Sequence, residues 1–565
     1  MNRQRFDQEP EWMAPLPQSA RRKDTTRLRL RLVIGAFALI YLVIAARLIL
    51  LGLGDPTVAN RGSAADAVAA ARPDIVDRNG EVLATDIKTA SLYAEPRKII
   101  DADEAAEAIA SVMPDLGVRE LREKLSGDAG FAWLKREIAP EQQDAIHKLG
   151  IPGIGFLTEN QRFYPGGATS SHILGAVNVD NQGIAGIEKY LDDDFLTTLH
   201  ASGFAKTPDL QPVRLSIDLR VQHVMRDELL GAMHRYHAVA ATGIVLDVHT
   251  GEVLAMSSLP DYDPNRPAEA LQPDRLNRMT AGVFEMGSVF KTFTVAMALD
   301  SGKVTMADSF DATSAIRSGR FTINDFHGKH RVLSLPEVFI YSSNIGAARI
   351  ALTAGIDEQR NFLRRVGMMD RVKTQLPETA RPLVPGKWAE LTAMTIAFGH
   401  GISVTPMHTA MAAAALMNGG YLIPPSFLPR SREEAERLAV RVVHQRTSDE
   451  MRQLFRTNVV RGSGRRAEVP GYMVGGKTGT AEKIENGRYS KSKRFNSFLA
   501  AFPMDDPQYV VLVVIDEPQP EKPGQSATAS LNAAPTVAAI IRRSAPMLGV
   551  AARDPGQDTA LLASY

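Results

Sequence analysis

Hydrophobic positions change their rhythm twice along the chain. Residues 1–31 are polar and rich in Arg and Lys, and Leu32 to Ala46 is an uncharged, mostly large and apolar run. Arg47 interrupts it before Leu48 to Leu53 continues. The stretch 32–53 is long enough to cross a bilayer, which takes ~20 apolar residues. Its basic side comes first, which predicts a cytoplasmic N-terminus and export of everything after Gly54. A cleaved signal peptide is the competing reading, but the basic region is long for one and no small-x-small site follows a short apolar core. Arg47 is read as snorkelling to the outer interface, with a contact to another membrane helix as the alternative. Residues 54–71 are small and Ala-rich and read as a linker.

From Arg72 the pattern becomes that of a folded protein. Over 72–212, strand-like pieces (Glu81–Thr85, Ala90–Ala94) mix with helical ones (Ala102–Val112, Pro140–Leu149), and Asn79-Gly80 marks a turn before a strand. Nothing in this segment carries chemistry, and Arg72, Asp77, Arg78, Arg162 and Glu188 are expected to form a scaffold of ion pairs and caps. At 213 the pattern shifts again. Arg214–Ile217 reads as a short strand and Leu219–Tyr236 as a helix. Ala240–Val248 and Glu252–Ser258 read as antiparallel strands around a tight turn. Leu391–Phe398 and Met407–Met417 look like buried helices, and Gly475–Glu482, Arg494–Phe502 and Tyr509–Ile515 like strands closing the same sheet. Without regular βαβ alternation, the expected class is α+β. The expected organisation is a basic tail (1–31), an anchor (32–53), a linker (54–71), a non-catalytic pedestal (72–212), a catalytic domain (213–548) and a disordered tail (549–565). No internal repeat is visible.

Composition narrows the function classes. The chain has 565 residues, 44% hydrophobic and 23% charged, with a net charge of +1. That describes several folded domains and gives no global basic field for nucleic acid. With no cysteine, disulfides, thiol catalysis and cysteine-held metals are excluded. The 12 histidines show no tight ligand spacing, so a metal site is not expected.

Candidate chemistry lies in Phe284-Glu285-Met286-Gly287-Ser288-Val289-Phe290-Lys291. Ser288 opens an apolar run, Val289–Leu299, that reads as a buried helix. Residues three apart share a helix face, so Lys291 can lie beside the Ser288 hydroxyl. A serine needs a base to become a nucleophile, and a buried lysine can shed its charge and act as one. Alone the motif is common; Ser490 to Lys493 is a second match. Two other motifs can serve the same serine. Ser342-Ser343-Asn344 lies at a helix junction, where Asn344 by itself reads as an N-cap; S-x-N recurs at Ser530 to Asn532. Lys477-Thr478-Gly479-Thr480 follows Gly475-Gly476 and reads as a strand, although an isolated K-T-G-T is equally an ordinary turn. Lys477 can hold an anion and keep Lys291 neutral by repulsion, and Gly479 would let a substrate backbone approach the strand.

Gly471 to Thr478 also matches the phosphate-loop pattern G-x-x-x-x-G-K-T. That pattern requires a buried strand before it and a helix starting at the lysine. Here Glu468-Val469-Pro470 precedes it, Gly479 would fall in the first helical turn, and the segment is expected outside the membrane, where ATP is scarce. Serine chemistry is the better reading.

S-x-x-K, S-x-N and K-T-G in that order resemble the signature of penicillin-recognising acyl-serine transferases. With the single N-terminal span, Arg72-x-Asp74-Ile75-Val76-Asp77-Arg78-Asn79-Gly80, Arg162-Phe163-Tyr164-Pro165 and Gly186-Ile187-Glu188, the chain resembles a class B penicillin-binding protein. Pro73 replaces a usual glycine. The segment before Arg214 is too short for the glycosyltransferase domain of class A enzymes. Glu285-Met286-Gly287-Ser288 and the compact catalytic segment look like the division-specific, septal type of alphaproteobacteria. The elongation type and a non-catalytic β-lactam sensor or scaffold are the alternatives. A β-lactamase is disfavoured because no E-x-x-x-N loop lies between Asn344 and Lys477.

The resemblance implies a penicillin-binding transpeptidase domain, an antiparallel sheet flanked by helices, on an elongated α+β pedestal (dimerisation) domain. It implies that Ser288 attacks a peptidoglycan stem peptide at D-Ala-D-Ala, with Lys291 as base, Ser342 relaying the proton, and Asn344 and Lys477 arranging the network. Thr478, Gly479 and Thr480 would bind substrate, and the Ser288 and Thr480 N–H groups would form the oxyanion hole. Diaminopimelate of a second stem peptide would be the acceptor. The reaction requires no metal or organic cofactor. β-Lactams and a polytopic septal glycosyltransferase are the further expected partners.

Overall fold

The computed structural model describes residues 31–45, 71–196, 211–319, 321–485 and 488–553. Residues 31–45 form an exposed helix. Among the described residues no helix is long and apolar enough to cross a membrane. Residues 46–53 of the expected span, most of the linker, and the tail from 554 lie outside the described residues. The described residues from Ala71 onward form one compact unit.

The first sheet of that unit is built from β1 (Ile75–Val76), β2 (Val82–Ala94), β3 (Ala132–Ile138), β4 (Ile154–Phe163) and β5 (Val213–Arg214). Its order is β3-β2-β1-β5, with β4 also pairing β2. The two strand pieces expected at 81–85 and 90–94 are one strand. The polar residues between them stay extended because β4 pairs β2 continuously from Thr85↔Phe163 to Ala94↔Ile154. The strand expected over Arg214–Ile217 shrinks to β5, whose two residues pair in parallel with β1. α1 (Ala102–Val112) covers this sheet and is capped by Asp101, whose side chain accepts from the N–H groups of Asp103 and Glu104.

The expected polar scaffold ties this region together. Arg72 and Arg162 converge on the fully buried Glu188 at 2.8 and 2.6 Å, and Arg162 also reaches Asp86 at 3.1 Å. Buried charges persist only when paired and hydrogen-bonded, and all three groups are. The Asp77 carboxylate accepts from Asn79, Glu81 and Leu219 N–H groups at 2.7, 2.9 and 3.0 Å, linking the turn after β1 to the start of α2 (Leu219–Tyr236).

The second sheet is antiparallel. β6 (Ala240–Asp247) and β7 (Val253–Leu259) form the expected hairpin, followed far along the chain by β8 (Gly475–Glu485), β9 (Arg488–Phe502) and β10 (Tyr509–Asp516). The order is β8-β9-β10-β6-β7, so β8 is an edge strand. Alternate side chains enter two different cores. Ile244, Leu246, Leu499, Leu512 and Val514 pack with Phe293 and Met297 on one side. Val245, Phe498, Val511, Val513 and Ile515 pack with α2 and α5 (Ala533–Ser544) on the other. Burial on both faces explains why β10 reads as an unbroken apolar run.

Candidate active site

Ser288 sits on a single 3-10 turn, Gly287–Phe290, and Lys291 begins the buried helix α3 (Lys291–Asp300). Lys291 has 0% exposure. Its Nζ donates to Ser288 Oγ at 2.7 Å, to Asn344 Oδ1 at 2.7 Å and to Ser342 Oγ at 3.3 Å. Lys477, equally buried, projects from β8 and donates to the same Ser342 Oγ at 2.9 Å and to the Thr478 carbonyl at 3.2 Å. The three motifs expected to cooperate therefore meet around one hydroxyl.

Burial dominates the electrostatics. Removing an ammonium from water disfavours its charged form, and burial pushes Lys291 well below the ordinary lysine range, helped by the charge of Lys477 and opposed by Asp325. Burial also pushes Lys477 down to about 7. Two lysines facing one serine hydroxyl cannot both stay charged cheaply, and Lys291 feels the charge of Lys477 in addition to its own burial.

The S-x-N segment departs from the local reading of Asn344 as a helix cap. Asn344 is the first residue of α4 (Asn344–Ala354), and Ser343 is the cap, accepting from the Gly346 N–H at 2.9 Å. Asp325, from a preceding loop, completes the capping. Its Oδ1 accepts from the Asn344 and Ile345 N–H groups at 2.6 and 3.0 Å, and its Oδ2 from the Ser343 hydroxyl at 2.7 Å. A carboxylate at a helix N-terminus satisfies orphan donors and complements the helix dipole. The Asn344 side chain is thereby freed to bridge the Asn324 carbonyl and Lys291. Ser342 adopts φ +58, uncommon for a residue with a side chain, on the turn that places its hydroxyl between the lysines. Sequence reasoning missed Asp325, which belongs to no motif and acts 18 to 20 positions away.

On β8, Lys477 and Gly479 face the Ser288 turn. A Cβ on Gly479 would lie 2.7 Å from the Met286 carbonyl and 2.8 Å from Val289 Cγ2. A close approach that requires glycine at 479 is thus made by the protein's own nucleophile turn. Gly287 meets Thr480 from the other side: with φ +56, it would place a Cβ 3.0 Å from the Thr480 carbonyl. The Thr478 hydroxyl shares a 2.8 Å hydrogen bond with Ser463, and Thr480 Oγ1 accepts from the Ala529 N–H at 3.2 Å. Ser463 was also missed. Gly462-Ser463-Gly464 reads only as a turn, and Asn458 fixes it there by accepting from the Ser463 N–H at 3.2 Å while donating to the Gly476 carbonyl at 2.7 Å.

The recurring motifs fall elsewhere. Ser490 and Lys493 lie on β9 with a local 3.4 Å contact, and Asn532 caps α5 by accepting from the Ala533 N–H at 2.7 Å. Lys477 lies inside a strand rather than at a helix start, so the phosphate-loop pattern has none of the geometry it requires.

Comparison with known proteins places these features in context. Residues 241–542 match the family model for the penicillin binding protein transpeptidase domain, and residues 67–196 the model for the penicillin-binding protein dimerisation domain. The chain is 39% identical over 553 residues to the probable peptidoglycan D,D-transpeptidase FtsI of Caulobacter vibrioides, covering 94% of this chain and 90% of that protein. It is 30% identical to the probable peptidoglycan D,D-transpeptidase PenA of Neisseria gonorrhoeae, with 90% and 91% covered. The crystal structure of penicillin binding protein 3 of Mycobacterium tuberculosis, complexed with aztreonam, shares the fold. Its TM-score is 0.65 at 24% identity, over 86% of this chain and 98% of that one.

Proposed function

The chain belongs to the class B penicillin-binding proteins, and from that premise we propose that it is the D,D-transpeptidase that crosslinks peptidoglycan stem peptides at the division septum through an acyl-serine intermediate. The observation that carries the reading is the position of Lys291 Nζ, 2.7 Å from both Ser288 Oγ and Asn344 Oδ1 and out of contact with water. As a neutral amine it has two N–H groups, for Asn344 and Ser342, and one lone pair to accept the Ser288 hydroxyl proton.

Ser288 Oγ attacks the carbonyl of the penultimate D-Ala while its proton passes to Lys291. The terminal D-Ala leaves as an amine, protonated through Ser342, which Lys477 and Lys291 hold in place. The N–H groups of Ser288 and Thr480 stabilise the developing oxyanion, where one donor is typically worth ~3–4 kcal/mol. The close packing of Gly287 against Thr480 supports that pairing. Thr478 and Thr480 alternate onto one face of β8 and take the terminal carboxylate. An amine of a second stem peptide, that of diaminopimelate, then attacks the ester, forms the crosslink and returns the proton to Ser288 Oγ. β-Lactams acylate the same serine.

In this reading residues 72–212 are the pedestal and 213–548 the catalytic domain. Residues 32–53 anchor the chain once in the inner membrane, with the N-terminus cytoplasmic and the catalytic domain periplasmic. A polytopic septal glycosyltransferase supplies glycan strands and contacts the anchor and pedestal. The decisive experiment is intact-mass measurement of the full-length protein after penicillin treatment. A covalent adduct that disappears in Ser288→Ala is expected; no adduct on the wild type would overturn the reading.

A further inference from the structure

The helices that begin at Lys291 and Asn344 pack against each other, and their far ends meet at a cavity that the acyl-transfer steps above do not use. After α3 the chain turns through Lys303, whose Nζ donates at 2.6 Å to the carbonyl of Ala354, the last residue of α4. The cavity measures about 510 Å³, and its lining includes Lys303, Asp308, Phe310, Asp311, Arg349 and Leu352. That size falls among small-molecule sites, ~300–1,000 Å³. α3 has 10 residues, so at ~1.5 Å per residue the cavity lies ~15 Å along the helix from Lys291.

Arg349 carries an unmet donor. Its Nε is buried and has no hydrogen-bond partner among the described residues. Its Nη2 stands 3.9 Å from Asp311 Oδ2, an attraction of charges beyond hydrogen-bond reach. A buried donor of that kind calls for an acceptor, and a guanidinium fork matches a carboxylate. The neighbouring groups limit what that carboxylate can belong to. Asp308 Oδ2 accepts from the Thr305 N–H and hydroxyl at 2.7 and 3.1 Å, which leaves Oδ1 for a further donor. Asp311 Oδ1 accepts from the Thr313 hydroxyl and N–H at 2.6 and 2.9 Å, bonds that hold its carboxyl below the usual range and keep it charged. Two cations and two carboxylates therefore line one cavity, and their charges cancel. A multiply charged anion gains little there, whereas a ligand with one charge of each sign can pair with both.

We propose that this cavity binds a free α-amino acid as its zwitterion, with the ligand carboxylate on Arg349 and Lys303 and its ammonium on Asp308. Lys303 keeps two N–H groups after its bond to Ala354. Asp311 holds the guanidinium in the cavity and weakens its pull on plain anions. Phe310 and Leu352 receive the apolar side chain of the ligand. The terminal D-Ala freed in the proposed reaction is a zwitterion of this kind. The choice of D-alanine as the probe therefore rests on the acyl-serine reading, while the site itself does not.

The test uses full-length protein already acylated by penicillin, so that the catalytic cleft is filled. D-Alanine binding is titrated by ligand-observed nuclear magnetic resonance, with acetate, methylammonium and inorganic phosphate as controls. Saturable binding of D-alanine is expected, with each control at least tenfold weaker. Acetate or phosphate binding as tightly as D-alanine would overturn the proposal. So would binding seen only before acylation, which would place the amino acid in the catalytic cleft. Arg349→Gln should raise the Kd for D-alanine at least tenfold while penicillin acylation keeps its wild-type rate. Asp308→Asn, which retains an oxygen for Thr305, should raise the Kd by a similar factor without weakening acetate binding. An unchanged Kd in either variant overturns the assignment, and if Arg349→Gln does not fold, Asp308→Asn decides alone. Failure of the wild type to form any penicillin adduct would instead overturn the acyl-serine reading, and titration of the untreated protein would then test the site.

Discussion

Lys477 Nζ donates to Ser342 Oγ at 2.9 Å across 135 positions of sequence, and Lys291 reaches the same oxygen at 3.3 Å. One hydroxyl thus joins two buried amines that burial has pushed in the same direction. In the proposed mechanism, that arrangement lets a lysine act as a base.

Replacing the proposed base tests it directly. Lys291→Ala should lower penicillin acylation by about 10²–10⁴-fold, the usual range for a general base, with an unchanged circular dichroism spectrum. Acylation near the wild-type rate would remove Lys291 from the role.

The pH profile tests the coupling between the two lysines. Lys291 serves as base only when neutral, so the rate should rise as pH rises through its lowered pKa. Burial sets most of that shift and the charge of Lys477 adds to it. Lys477→Met removes the repulsion, so the Lys291 pKa should move up and the ascending limb should shift to higher pH. Because Lys477 itself loses its charge above about 7, the difference should be largest on the acid side. Rates measured from pH 5 to 9 would reveal a limb that does not move.

Asp325 should act through the geometry of α4. Asp325→Ala removes three hydrogen bonds to Ser343, Asn344 and Ile345, and loss of such a cap costs ~1 kcal/mol. Acylation should fall by about tenfold or more as Ser342 and Asn344 lose their placement, which is a greater loss than the change in the denaturation midpoint would suggest. Asp325→Asn, which keeps one acceptor oxygen, should recover part of it.

Gly479→Ala should separate the nucleophile turn from β8. The added methyl would lie 2.7 Å from the Met286 carbonyl, a backbone atom that cannot swing aside. Acylation at least tenfold slower is expected, with the sheet itself preserved; a normal acylation rate would show that the turn can relax.

In the first sheet, Arg162→Ala should be costly without touching the site. Arg162 and Glu188 have side-chain exposures of 0% and lie 2.6 Å apart. Breaking such a pair strands a buried charge and typically costs about 3–5 kcal/mol. A denaturant midpoint within experimental error of wild type would contradict this.

Ser288, Lys291, Ser342, Asn344 and Lys477 were named from the sequence on two grounds: a spacing of three encodes the Ser288–Lys291 contact within one turn of backbone, and the order of the three motifs resembles a known family's signature. Lys291 beside Ser288 is the clearest case, and the helices at 102–112 and 219–236 were recovered because each buries one regularly spaced face. The sequence also excluded the phosphate loop, since the residues around Lys477 could not build its helix.

Tertiary structure alone decided what crosses long separations. It made Ser343 and Asp325 the caps of α4 and freed the Asn344 amide for Lys291. It gave Thr478 to Ser463 and Thr480 to Ala529, and it packed Gly479 against the protein's own nucleophile turn. The lowered pKa of Lys291 likewise belongs to no motif. It arises from dehydration and a neighbouring amine, and both exist only once distant segments have packed around the same atom.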